Sequence, residues 1–174
     1  MAQKINPEHP LVQMFRDKVA EQTTTHLGST GYDDVEAYLT SLLVDFVRME
    51  SVFSVRDSEG KPLRSVIEMV AEADVRLNAA SFERERQVHK HIGDFILFWT
   101  GVAPDYLSRH RATIGTDLVC DYTRQGQESY YVVSTFDHPP YDAESSTFRK
   151  LSREFDGLSF VLGQVGRSFG LGAH

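Results

Sequence analysis

Two histidines and an aspartate stand directly against aromatic side chains in HKHIGDFILFWTGVAPDYL, residues 89–107. His91 and Asp94 are three residues apart, within reach of one another on a helix. A carboxylate so placed can orient an imidazole and raise its pKa, as in a general acid–base or a pH-sensitive contact. The same pair can also close the rim of a core with a hydrogen bond. A lone His–Asp pair at helical spacing is weakly specific, and the structural reading is the stronger. His89 falls about 200° from His91 at roughly 100° per residue, so one helix does not aim both at one centre.

Other chemistries find less support. A carboxylate-bridged di-iron bundle needs Glu-x-x-His on two helices, and that spacing is absent from the chain. His-Glu-x-x-His is absent as well. Only a site assembled from His91, Asp94 and a distant His110 or His138 would bring metal ligands together, so no metal and no cofactor are expected. There is no G-x-S-x-G elbow, and Ser129 falls in a helix-like segment. Cys120, with Val119 and Tyr122 close by in the chain, reads as a small buried hydrophobe rather than a nucleophile. Phe95, Phe98, Trp99, Tyr122 and Tyr130 have the character of a pocket lining. At helical spacing such aromatics are more often core.

These residues need helices to position them, and the chain is patterned for helices. The first is expected from Pro10, suited to a first turn, to Gly28, with Leu11, Phe15 and Val19 on one side and His26 in the last turn. Thr30 and Asp33 resemble a capping box ahead of a stripe through Val35, Leu39, Leu42, Phe46, Met49 and Phe53. DSEGKP, residues 57–62, is a turn by composition, and a third pattern follows from Pro62 through Leu63, Val66, Val70, Ala73 and Leu77. The fourth helix is expected from about Ser81 to Thr100, with Gly101 as its terminating residue, Pro104 as a stop and a short helix in PDYLSRHR. On its wheel Glu83, Gln87, His91, Asp94 and Phe98 lie within roughly 80° of one another. Val88, Ile92, Phe95, Ile96 and Trp99 form the adjacent apolar sector.

A fifth helix is expected over about residues 116–135, capped by Thr116, with Leu118, Tyr122, Gly126, Ser129 and Val133 on one face. After a loop at DHPPYD, residues 137–142, a sixth runs over about residues 142–169 through Leu151, Phe155, Leu158, Leu162 and Val165. Gly157, Gly163 and Gly166 weaken it by roughly 1 kcal/mol each unless a close crossing or a bend requires them. YYVVSTF, residues 130–136, is β-prone locally, but the helical register before it outweighs that. The expectation is an all-α chain, a single-domain bundle of five to seven helices over residues 1–174, with residues 1–8 and 168–174 frayed.

Composition narrows the partners. The chain has 174 residues, enough for one domain with its own core, and a net charge of −7. That balance disfavours nucleic acid, whose phosphates want a basic face. One cysteine allows no intrachain disulfide and suits a reducing cytoplasm. The N-terminus lacks an apolar signal core, and the longest nearly apolar run, between Asp94 and Asp105, is about half of the roughly 20 residues a membrane helix needs.

Two segments carry a resemblance. GDFILFWTGVAP, residues 93–104, reads Gly-Asp-x-x-Leu-Phe-x-x-Gly-x-x-Pro, and YTRQGQESY, residues 122–130, reads Tyr-x-x-x-Gly-x-x-Ser-Tyr. In this order they resemble an uncharacterised group of bacterial all-helical proteins, over roughly residues 88–135 and more loosely in the last helix. In that group a Gly-Asp helix ends in a Gly-Phe-Phe-Pro-like turn, where this chain has Val102 and Ala103. The resemblance implies no activity or cofactor. It marks Gly93, Asp94, Gly101, Pro104, Tyr122, Gly126 and Tyr130 as the residues to inspect.

Two functions of different class remain. The first is a non-catalytic helical module that binds a protein partner or a second copy of itself. The alternative is a small-molecule pocket or enzyme using His91, Asp94, Tyr122 and Tyr130, with Phe98 and Trp99 completing the candidate lining. A filled core with an exposed apolar patch favours the first, and a closed apolar cavity on which these groups converge favours the second.

Overall fold

The computed structural model describes residues 6, 8–47, 81–104 and 121–170. Among these residues there are six helices and no strand: α1 (Pro10–His26), α2 (Asp33–Val47), α3 (Phe82–Val102), α4 (Tyr122–Ser134), α5 (Asp142–Arg153) and α6 (Phe155–Ser168). The architecture is the expected all-α multi-helix bundle. The expected helix from Pro62, the turn at 57–62, the short helix after Pro104, and Met49, Phe53, His110, Thr116, Leu118 and Cys120 lie outside the described residues.

The helix ends follow local chemistry. His9 caps α1 by accepting the Leu11 N–H at Nδ1, 3.2 Å away, and Pro10 takes the first helical position. Gly28 ends α1 with φ +120°, its N–H and that of Leu27 both donating to the Thr23 carbonyl. Ser81 caps α3 by accepting the Arg84 N–H at 3.1 Å, which sets the helix start close to the expected one. Two starts differ from expectation. In α2 the Tyr32 carbonyl accepts the Glu36 N–H, so the helix opens at Asp33 and Thr30 is too far upstream to cap it. In α4 the cap is Asp121, whose carboxylate accepts the Arg124 N–H, so the helix starts at Tyr122 rather than near Thr116.

Helix α3 is the axis of the bundle, packed against α2, α4 and α6. Its residues Ile92–Phe98 are all buried. The expected one-sided wheel is therefore wrong over these turns, because a helix enclosed all round has no solvent face. Helix α1 packs on α2 and α6, and α5 packs chiefly on α4. The expected helix over residues 142–169 is two. It breaks at Glu154 (φ −98°, ψ 18°), so that α5 lies along α4 while α6 turns to cross α3 and α1. The apolar period persists through the break because both halves bury the same stripe, Leu151, Phe155, Leu158, Leu162 and Val165.

The glycines answer the question their cost raised. Gly101 belongs to the last turn of α3, which runs on to Val102 with Ala103 as its cap, rather than standing just past the helix end. A Cβ there would sit 2.8 Å from the Ser159 carbonyl oxygen, and one on Gly163 would sit 2.9 Å from the Gly101 carbonyl oxygen. The α3–α6 crossing is thus a backbone-to-backbone approach that only glycine allows. Phe169, in the expected frayed tail, is docked edge-on against Phe15 with ring centroids 5.1 Å apart.

Candidate functional site

Asp94 is 7% exposed and accepts three hydrogen bonds. Tyr38 of α2 and Tyr130 of α4 both donate to Oδ1, the latter at 2.7 Å, and Lys90 donates to Oδ2 at 3.0 Å. A desolvated carboxylate is costly without such donors. Here one side chain of α3 ties α2 and α4 together. Lys90, one turn before Asp94 on α3, also stands 5.3 Å from the centroid of the Tyr38 ring. Phe148 and Phe155 complete an aromatic wall, with centroids 5.8 Å and 5.9 Å from that of Tyr130.

The expected His91–Asp94 pair does not form, since Asp94 takes its bonds from Tyr38, Tyr130 and Lys90. The His91 imidazole is pushed down to about 4, chiefly by burial and against the pull of the Asp94 charge. It is therefore neutral near pH 7 and not the raised-pKa acid that the spacing suggested. His89, on another face, approaches Ser129 Oγ at 3.2 Å, where Gln125 also donates at 3.1 Å. Ser129 is fully buried.

Of the six candidate residues, the structure joins Asp94 and Tyr130 directly and leaves the others in the packing. Phe98 stacks on Phe46 at 4.4 Å and 15°, and Trp99 meets Phe98 edge-on at 5.0 Å. Tyr122 is buried in the core but is not a donor to Asp94. Sequence reasoning missed Tyr38 and Lys90. Lys90 was findable, because a residue four positions before Asp94 is a nearer neighbour on the helix than most of its polar sector. Tyr38, on the margin of the α2 stripe, carries no local signal for a partner 56 residues away.

Below this junction the polar groups continue. Arg86, one turn before Lys90, is 7% exposed, donates to Glu144 Oε2 at 2.7 Å and lies 4.2 Å from the centroid of the Tyr141 ring. Lys150 bridges Asp34 at 2.9 Å and the Gly31 carbonyl at 3.0 Å, and Thr147 donates to Asp34 at 2.8 Å. Burial raises the Asp34 carboxyl, but these bonds and the Lys150 charge outweigh it and leave the group below its ordinary value. Between α2 and α5 lies a cleft of about 220 Å³, open to solvent, with Tyr38 and Phe148 in its wall. Asp94, Tyr122, Tyr130 and His91 do not line it. Among the described residues no three His, Cys, Asp or Glu side chains converge to hold a metal ion, and no helix is long and apolar enough to cross a membrane.

The chain matches no protein-family model, no curated protein and no solved structure.

Proposed function

We propose that this protein is a non-catalytic helical module that binds a protein partner or a second copy of itself, in the cytoplasm. The observation that carries this reading is the state of its chemically capable groups. Both tyrosine hydroxyls and Asp94 Oδ1 are spent on one another in a packed interior, Oδ2 is taken by Lys90, and the cleft nearby reaches Tyr38 but neither Asp94 nor Tyr130. A catalytic carboxylate needs a path to substrate, and Asp94 is enclosed by its own donors and the aromatic wall. Met14, Phe82, Tyr131 and Phe160, each on a different helix and between 48% and 71% exposed, are apolar side chains left on the outside for a partner to cover.

The test is native mass spectrometry of the chain purified without added ligand. A second copy or a protein partner at integral stoichiometry is the expected result. A small molecule bound stoichiometrically to wild type, and lost from an Asp94→Asn variant that still folds, would instead establish the pocket reading built on His91, Asp94, Tyr122 and Tyr130.

A further inference from the structure

We propose that α1 carries a pH-sensitive latch: protonation of His9 opens its first turn, while His26 keeps its last turn closed. His9 Nδ1 accepts the Leu11 N–H at 3.2 Å, which needs a bare ring nitrogen, so the neutral ring carries its proton on Nε2. The cation has no lone pair to offer, and its charge meets the positive end of the helix dipole. The first turn has no acidic side chain to offset that charge. His26 works in the opposite sense. Its Nε2 donates to Gln22 Oε1 at 3.2 Å, a bond that the cation keeps, and in the last turn a positive charge meets the negative end of the dipole.

The charged groups at the two ends of α1 differ as well. His9 is exposed, with Glu8 beside it in the chain. Helix α6 brings Arg167 to this end, where Phe169 docks on Phe15. Helix α2, packed on α1 and joined to it by a short connection, returns Asp45 toward it. Among the described residues His9 pairs with none of these, and its ring bond is the one to Leu11. At the other end stand Asp33 and Asp34 of α2, the latter bridged by Lys150, and Asp156 of α6, next to Gly157, which lies against Leu27. A proton on His26 therefore meets negative charge, where a proton on His9 costs a hydrogen bond. The moving part is small. Leu11 packs on the core and Val12 is buried in it, both in the first turn, whereas Phe15 is held from α6 by Phe169. Acid thus uncovers Leu11 and Val12 and stops at Phe15.

The experiment is nuclear magnetic resonance of the full chain from about pH 8 to about pH 5, the interval in which histidine changes charge. At the upper limit His9 is expected as the Nε2–H tautomer. The Gln13 N–H donates to the His9 carbonyl at 3.2 Å. On acidification its protection from hydrogen exchange, corrected for the intrinsic pH dependence of exchange, should fall about fivefold, the factor that loss of a cap corresponds to. The Leu27 N–H, which donates to the Thr23 carbonyl, should keep its protection. His9→Asn supplies a cap that does not titrate, so its Gln13 protection should be high and flat with pH. His9→Ala should be low throughout. Both substitutions fall at an exposed position ahead of the helix, so the fold is retained. A loss of protection that originates at the buried His91 would survive in His9→Asn. The proposal is overturned if His9 carries its proton on Nδ1, if the fall persists in His9→Asn, or if Leu27 loosens as much as Gln13.

Discussion

The ring of Tyr130 occupies the space that a Cβ on Gly93 would need: that atom would lie 2.6 Å from two carbons of the ring. The missing side chain at one position of α3 lets the ring lie against the helix, and its hydroxyl then reaches Asp94 at the next position. Gly126 repeats the device one turn before Tyr130, where a Cβ would lie 2.4 Å from the Phe155 ring. Gly93, Asp94, Gly126 and Tyr130 are thus one packing unit, and the predictions begin there.

Gly93→Ala should destabilise the fold, because the added methyl meets a fully buried ring that has nowhere to move. Overpacking of this kind costs about 1–3 kcal/mol. Replacing Tyr130 with a smaller residue should make the alanine nearly neutral by comparison. Thermal denaturation of the two single variants and the double gives the coupling, and additive effects would show that the close approach is unimportant.

Asp94→Ala strands the hydroxyls of Tyr38 and Tyr130 and the ammonium of Lys90. An unpaired buried donor costs about 1–3 kcal/mol, and two buried hydroxyls are affected. The melting temperature should fall by several degrees, at roughly 2–4 °C per kcal/mol for a domain near this size. Tyr130→Phe should cost less, because it removes donor and bond together while Asp94 keeps two partners. A variant at Asp94 as stable as wild type would contradict the structural role and restore the case for a ligand.

Stability should vary with pH at both ends. His91 falls from an ordinary value of 6.5 to about 4 on folding, so the unfolded chain binds more protons between these values. The stability His91 contributes is complete above pH 6.5 and is lost as pH falls toward 4, by about 3 kcal/mol at most. His91→Gln should flatten this part of the profile. Tyr38 and Tyr130 are raised well above 10, by burial first and then by the charge of Asp94. Their contribution is complete below pH 10 and declines at higher pH. Melting temperatures across pH, in wild type and His91→Gln, decide the matter; two superimposable acid limbs would exclude His91 as the cause.

The Asp34–Lys150 bridge is a contrasting case. Both side chains are about a third exposed, at 34% and 32%, so solvent screening limits the pair to about 1 kcal/mol or less. Lys150→Met should lower stability slightly, and the difference should shrink in high salt. A loss as large as that of Asp94→Ala would mean that the Gly31 carbonyl and Asp34 depend on the ammonium more than their exposure implies.

The helices were legible because their signals are local. Pro10, Gly28 and Ser81 mark ends that the backbone obeys, and the stripes through Val35–Phe46 and Leu151–Val165 are buried as their spacing requires. Helix α3 was legible as a helix but not in its environment. A wheel divides residues into faces and cannot reveal that α2, α4 and α6 cover all of them. The break at Glu154 was hidden for a related reason, since both halves keep the apolar period. At the site, Asp94 and Tyr130 could be singled out from the chain, although the bond that joins them could not. The preference for His91 failed because sequence spacing brings two groups within reach but says nothing of which competing donor arrives from elsewhere in the chain.

The shared oxygen of Asp94 also limits how the bundle can be put together wrongly. Apolar stripes alone tolerate sliding, since a helix displaced by one turn, about 5.4 Å, still presents leucines and valines to its neighbours. Tyr38 and Tyr130 approach that oxygen from two different neighbours of α3, 56 residues before and 36 residues after it. If either neighbour slips a turn, a hydroxyl is left in the dry interior and Asp94 loses half of its shared pair. Misaligned assemblies therefore rise in energy while the aligned one does not. The carboxylate acts as an alignment pin, selecting one axial register from several that hydrophobic contact would leave nearly equivalent.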